Sequence, residues 1–288
     1  ILPLHQTLQQ NLLPKSVDLI CKHEFESYTE WLDIDGAVPF LLPTKKQNYT
    51  VSRAMKNGWM WEVPKTDNCG SGYNFSSKHT TADEVIEEAE KWLGHKVKPI
   101  KEVRYTPGCY KKIAKNNYAY IGLSASFIEP LEATALHSSI YSADFLIKVL
   151  EGHKTIDNYN DYVYEMVQDF RDFTIMHYRY ATRSDTKFWQ DVAEIELPDS
   201  LKNNLSMWRD RLPVADDFAN KTLFNEYNHA LVMHGMDIFN RESLRKQYNE
   251  LHFDAKQHIE HAINEKNNFD QIKAIPHKLM LELLRGLS

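Results

Sequence analysis

The stretch Ile121-Gly122-Leu123-Ser124-Ala125-Ser126-Phe127-Ile128-Glu129-Pro130-Leu131-Glu132-Ala133-Thr134-Ala135-Leu136-His137 decides how this chain is read. An apolar strand, Tyr118 to Leu123, runs into a turn of small residues. A proline and two carboxylates follow, and then a long amphipathic pattern begins. That order predicts a strand, a turn and the start of a helix. A helix start presents backbone N–H groups that lack intrahelical partners, together with the positive end of the helix dipole. Such an end accommodates an anion. Glu132 falls in the same first turn, which places an acid/base group beside the anion.

Upstream, Gly58-Trp59-Met60-Trp61-Glu62-Val63-Pro64 sets two tryptophans at i and i+2. On a strand that spacing puts both rings on one face. Trp59 and Trp61 are therefore expected to form an inward wall, with Met60 and Glu62 on the other side. Same-face aromatics also serve as ordinary core filling, and the residues of this segment alone do not separate the two uses.

Outward from these segments the pattern changes character once. From Val38 to Leu123 it is short and strand-like, with strands expected at Ala37–Leu42, Trp59–Val63, Tyr73–Ser76, Lys101–Tyr105 and Tyr118–Leu123. Consecutive short strands favour antiparallel pairing. One helix interrupts them, from about Thr81 to Leu93, and Thr81-Ala82-Asp83-Glu84 is a capping-box start. From Leu131 the period is helical, over 131–151, 156–182, 184–195, 199–210, 221–236, 241–265 and 270–286, punctuated by Gly152 and Pro198. The fold class is α+β: an antiparallel sheet layer in residues 1–130, then a mostly helical module in 131–288 that begins with the active-site helix.

The segments quoted above resemble the flavin-dependent tryptophan halogenases. Gly122-Leu123 followed by Phe127-Ile128-Glu129-Pro130-Leu131-Glu132 and Thr134 is similar to that family's Gly-Leu turn and Phe-x-Glu-Pro-Leu-Glu helix start. Trp59-Met60-Trp61-Glu62-Val63-Pro64 is similar to its Trp-x-Trp-x-Ile-Pro signature. Gly72 to Ser77, Arg104 to Gly108 with Asn116, and Phe173 to Tyr178 with Arg183, Asp185, Thr186, Phe188 and Trp189 extend the resemblance. It is dense from about residue 36 to 190 and thin beyond, where Pro276-His277 echoes a late Pro-His.

The resemblance implies the C-terminal part of a flavin-monooxygenase-like fold. The implied activity is halogenation of an electron-rich aromatic, indole- or tryptophan-like, using reduced FAD, dioxygen and chloride or bromide. The FADH2 would come from a separate flavin reductase. Glu132 is the implied catalytic carboxylate. Leu123 and Leu136 are implied flavin contacts, Thr134 and Ala135 the halide site, and Trp59 and Trp61 the wall near flavin and substrate tunnel. Ala133 stands where some members carry serine, and Ala135 where many carry glycine; a halide contact through backbone N–H survives the latter change. The groups that would grip a particular substrate, and oligomeric state, a homo-oligomer included, are left open.

A flavin enzyme of this kind uses a glycine-rich dinucleotide turn. The one Gly-x-Gly here, Gly70-Ser71-Gly72, continues into Asn74 and Phe75 and lies between strands. The chain opens Ile1-Leu2-Pro3. The nucleotide-binding portion and the family's catalytic lysine are therefore expected upstream, and no lysine in this sequence takes that role. Two other readings stand beside the halogenase: a flavin monooxygenase of the same fold, and a non-catalytic helical binding module.

Composition narrows the classes further. Net charge is −6 with no basic stripe, which argues against a nucleic-acid surface. No apolar run reaches the length of a membrane span, and the N-terminal stretch does not read as a signal peptide. Cys21, Cys69 and Cys109 are odd in number and far apart, so no disulfide framework is expected and a reducing cytoplasm is the expected compartment. His258 and His261 share a helix face, yet no companion ligands give a metal pattern. Glu87, Glu88 and Glu90 read as a solvated helix face.

Overall fold

The computed structural model describes residues 25–43, 47, 49–218 and 223–269. Its centre is a five-stranded antiparallel sheet in the order β3-β4-β5-β2-β6, built from β2 (Gly36–Leu42), β3 (Val51–Met55), β4 (Gly58–Pro64), β5 (Cys69–Phe75) and β6 (Val103–Arg104). A small sheet joins β1 (Phe25–Ser27), β7 (Gly108–Tyr110) and β10 (Ser126–Phe127), and a ribbon pairs β8 (Ala114–Lys115) with β9 (Tyr118–Ala119). The helices are α1 (Ala82–Leu93), α2 (Ala135–Leu150), α3 (Ile156–Arg179), α4 (Lys187–Ala193), α5 (Asp199–Trp208), α6 (Glu226–Gly235), α7 (Arg241–Glu250) and α8 (Phe253–Phe269). Antiparallel strands followed by helices are the architecture expected from the sequence.

Both faces of the sheet are buried, and the alternation along β4 shows why. Met60 enters a core with Val38, Phe40, Tyr73 and Phe75, closed by Val85 and Ala89 of α1. Trp59 enters a larger core with Tyr28, Cys109 and the apolar residues of α3, α4 and α5. Trp59 and Trp61 share the second face, their ring centroids 5.9 Å apart. Glycine at 72 is what admits Trp61: a Cβ there would lie 2.2 Å from the indole and 2.8 Å from the Pro39 Cα. The Gly-x-Gly of the sequence thus lies within β5. On the α1 side Thr81 and Glu84 form the expected capping box. Glu88 does more than face water: it accepts from the Tyr73 hydroxyl at 2.8 Å and from the Lys56 N–H at 3.0 Å.

Two expected elements differ. The strand Tyr118–Leu123 is only two residues long, because Gly122 adopts a left-handed φ of 59° and opens a 3-10 turn, Gly122–Ser124. The helix expected over 131–151 begins at Ala135. A separate 3-10 turn, Pro130–Glu132, precedes it, and Ala133, left-handed at φ 50° and ψ 35°, breaks the run. Glu132 therefore lies before the helix and not in its first turn.

Other boundaries moved less. The strand expected at Lys101–Tyr105 shrinks to β6, and the helix expected at 241–265 divides into α7 and α8 around Leu251. The helix at 221–236 begins at Glu226. The helix expected at 270–286 lies outside the described residues, as do Cys21 and Pro276-His277. Cys69 and Cys109 are buried and are not joined in a disulfide. Among the described residues no helix is long and apolar enough to cross a membrane.

Candidate active site

α3 is the spine against which the site is built. Its capping box, Thr155 with Asn158, fixes its start. One turn in, Asn160 holds the ribbon by accepting from the Ile113 and Ala114 N–H groups, both at 2.8 Å. Near its other end α3 delivers Phe173, His177 and Tyr178 to the segment that carries Glu129 and Glu132. The hairpin bearing the tryptophans is tied to the helices by Arg183, which donates to the Ala54 carbonyl at 2.7 Å, and by Trp189, which donates to the Met55 carbonyl at 2.7 Å.

Glu132 meets His177, with Oε1 2.9 Å from Nε2. His177 Nδ1 lies 2.9 Å from the Phe173 carbonyl, which can only accept, so Nδ1 carries a proton. The imidazolium form then donates through both nitrogens and neutralises Glu132. Burial alone would lower the His177 pKa. Glu132, through its hydrogen bond and charge, the Phe173 carbonyl and Glu129 together outweigh it and hold the value above the ordinary range. The pair fixes one carboxylate oxygen and leaves the group partly open.

Glu129, three residues earlier, is in a different setting. It is buried, and its Oε2 accepts from the Trp59 indole N–H at 3.1 Å. Burial raises its carboxyl to about 7, against the opposing pull of Trp59, Tyr178, the Leu131 N–H and His177. The Tyr178 hydroxyl bears on Glu129 without a hydrogen bond of ordinary geometry; it, the Tyr105 hydroxyl and Glu129 Oε1 are all buried and unpaired.

Two cavities lie against this segment. A small one of about 50 Å³ sits at the N-terminal end of α2, lined by Leu123, Glu129, Thr134, Ala135 and Ser138 among others. A larger one of about 270 Å³ is walled by Trp59, Leu131, His177, Tyr178, Trp189 and Met236. The indole–carboxylate contact of Trp59 with Glu129 joins the lining of one to the lining of the other.

The structure thus brings Leu123, Thr134 and Ala135 together around one space. Thr134 takes the N-cap position of α2, so the helix N–H groups without intrahelical partners begin there. Trp59 is buried and walls the larger cavity, whereas Trp61 is only partly buried and leans on Gly72. Leu136 stands outside the small cavity and is 71 % exposed, with Ile140 exposed one turn on. That apolar patch beside an anion-accepting helix end, with the Ser138 hydroxyl buried and unpaired in the cavity, fits the ring end of a flavin. A phosphate-binding glycine turn is not found among the described residues.

Glu129, His177 and Tyr178 are the site groups that the sequence reading did not single out. Glu129 was in view as the first acid of Phe-x-Glu-Pro, and His177-Tyr178 as part of the helical match. Nothing in the residue types told that one carboxyl is sealed in and the other paired. His258 bonds its own helix at the Asp254 carbonyl, 2.7 Å away.

With this geometry in place, the relatives are informative. The family described as "Tryptophan halogenase" matches residues 16–249. Tryptophan 7-halogenase KtzQ of Kutzneria sp. (strain 744) is 32 % identical over 206 residues, covering 68 % of this chain and 39 % of its own length. The tryptophan halogenase structure from Shewanella frigidimarina NCIMB 400 superposes with a TM-score of 0.78 at 27 % identity, covering 90 % of this chain and 52 % of that one. Xcc4156, a flavin-dependent halogenase from Xanthomonas campestris, does so with a TM-score of 0.78 at 25 % identity, covering 93 % and 55 %. This chain belongs to the tryptophan halogenase family. It spans about two fifths of the length of the first curated relatives it matches.

Proposed function

We propose that this chain forms the substrate-side part of a flavin-dependent halogenase acting on an electron-rich aromatic of the indole or tryptophan kind. The observation that carries the reading is the placement of Glu132. Its carboxylate is held by His177, which with the neighbouring Leu131 lines an aromatic-walled cavity, and it lies two residues from the first N–H groups of α2. When bound, reduced FAD, delivered by a separate reductase, supplies with dioxygen and chloride or bromide an electrophilic halogen.

The residues of this chain divide the remaining work. The N–H groups of Thr134 and Ala135 hold the halide, aided by the dipole of α2. Leu123 and Leu136 support the flavin ring. Trp59 and Trp61 keep the flavin side apart from the aromatic substrate. As the substrate ring gains a carbon–halogen bond it must lose the proton on the same carbon, and Glu132 accepts it. A carboxylate fixed by one neighbour suits that task, since a general base works from hydrogen-bond reach of the proton. His177 balances the charge of Glu132 before the transfer.

Incubating the whole protein with a flavin reductase, FAD, dioxygen, bromide and a panel of indoles tests this. The expected result is a brominated product, seen by its isotope doublet, that disappears when halide is withheld. Halide-independent hydroxylation of the same substrates would instead establish a monooxygenase, and failure to hold flavin would establish a binding module.

A further inference from the structure

The small cavity at the end of α2 contains more than backbone donors. Glu129 and Ser138 both line it. They are 2 % and 4 % exposed, and Glu129 Oε1 and Ser138 Oγ have no hydrogen-bond partner. Glu129 Oε2 is occupied by the Trp59 N–H, which anchors the carboxyl and leaves Oε1 as its free end. Unpaired buried polar atoms are costly, and here two border the space in front of the free N–H groups of Thr134 and Ala135.

An ionised Glu129 would compete with any halide for those same N–H groups, and two unscreened anions in so small a space repel strongly. A protonated Glu129 has the opposite effect, because its O–H is one more donor to the anion. We infer that Glu129, as the neutral acid, is itself a ligand of the halide at the N-terminus of α2, so that halide and one proton are taken up together. Ser138 completes the donor set through its hydroxyl. This rests on the reading of that cavity as the halide site.

The groups facing Glu129 leave it the one to titrate with the anion. The Tyr105 and Tyr178 hydroxyls are driven well above the ordinary tyrosine range by burial and by Glu129 itself, so both stay neutral. His177, from α3, is engaged by Glu132. Burial sets the Glu129 carboxyl near neutrality, where the linkage is measurable. Affinity is constant well below that value and falls above it by up to about tenfold per pH unit, the slope for one bound proton.

The test is calorimetric titration of the whole, flavin-loaded protein with sodium bromide, in buffers of differing ionisation enthalpy at about pH 6 and about pH 8. The expected result is close to one proton taken up per bromide at the higher pH and little at the lower. Glu129→Gln, which keeps an acceptor for Trp59 and a donor for the anion, should bind bromide with no proton uptake at either pH. His177→Gln and Tyr178→Phe should both retain the uptake. Anomalous diffraction from bromide-soaked crystals locates the ion. A bromide at the Thr134 and Ala135 N–H groups that binds without proton uptake in the wild type overturns the role of Glu129 and leaves the halide site standing. No bromide there at the lower pH overturns both. The wild-type proton count decides the matter even if Glu129→Gln does not fold.

Discussion

The two faces of the central sheet are built from the same strands, yet they differ in how they treat polar groups. On the α1 face, the buried Ser71 donates to the Trp61 carbonyl and Tyr73 donates to Glu88. On the tryptophan face, the Asn74 side chain, Glu129 Oε1 and the Tyr105 and Tyr178 hydroxyls are buried without partners. The α1 face has its own exception, Arg53 Nε, whose guanidinium stacks over Trp92; the tryptophan face gathers several such groups beside one another, where they are available for something besides stability. The α1 face is packing; the tryptophan face carries the groups to which the proposed chemistry is assigned.

The sharpest way to break that contrast is Glu132→Gln, which is nearly isosteric and removes the proposed proton acceptor. The expected loss in halogenation is roughly 10²–10⁴-fold, with flavin binding unchanged and no stability given up beyond the contribution of the His177–Glu132 pair. Turnover within about twofold of wild type would assign Glu132 to structure alone. On the opposite face, Met60→Ala should cost roughly 2–5 kcal/mol of stability while leaving product and halide dependence as they are; a changed product profile would erase the distinction between the faces.

Trp59→Phe probes the junction. It keeps an aromatic ring but strips Glu129 of its donor, so a stability loss of about 1–3 kcal/mol is expected. Halogenation should fall further than the folded fraction does. Equal losses of both would make Trp59 mere filling.

The His177–Glu132 pair supplies a pH signature. Its folded pKa is raised, so the stability it contributes is fully present below the ordinary histidine value and is lost as pH rises through the folded value. Denaturant melts across neutral pH should show that decline, and His177→Gln should flatten it. The smallest effect belongs to Thr81→Ala at the start of α1. Loss of its capping box should cost about 0.5–2 kcal/mol and leave halogenation per folded molecule untouched.

Much of this was legible in the residues because it depends on local rules. The i, i+2 spacing of Trp59 and Trp61 follows from strand pleating, and Thr81 with Glu84 announces its own cap. The start of α2 was misplaced by a few residues because nothing marks Ala133 as left-handed; glycine or asparagine would have. The strand expected at 118–123 is cut short for the converse reason: the apolar run carries the expectation through Gly122, whose left-handed φ opens a turn there. The distinction between Glu129 and Glu132 was beyond any sequence rule. It is made by Trp59, some seventy residues away, and by His177, some forty-five residues away, reaching the same short segment from opposite sides.

Ala133 also bears on any attempt to make a more robust catalyst. A side chain in the left-handed region costs about 1 kcal/mol relative to glycine, so Ala133→Gly is a rare substitution to glycine that should raise the melting temperature. The gain would come at the joint between Glu132, the proposed proton acceptor, and the N–H groups proposed to hold the halide, where a looser backbone lets each wander independently. Screens that select on heat tolerance would favour the change, and screens that select on turnover would discard it.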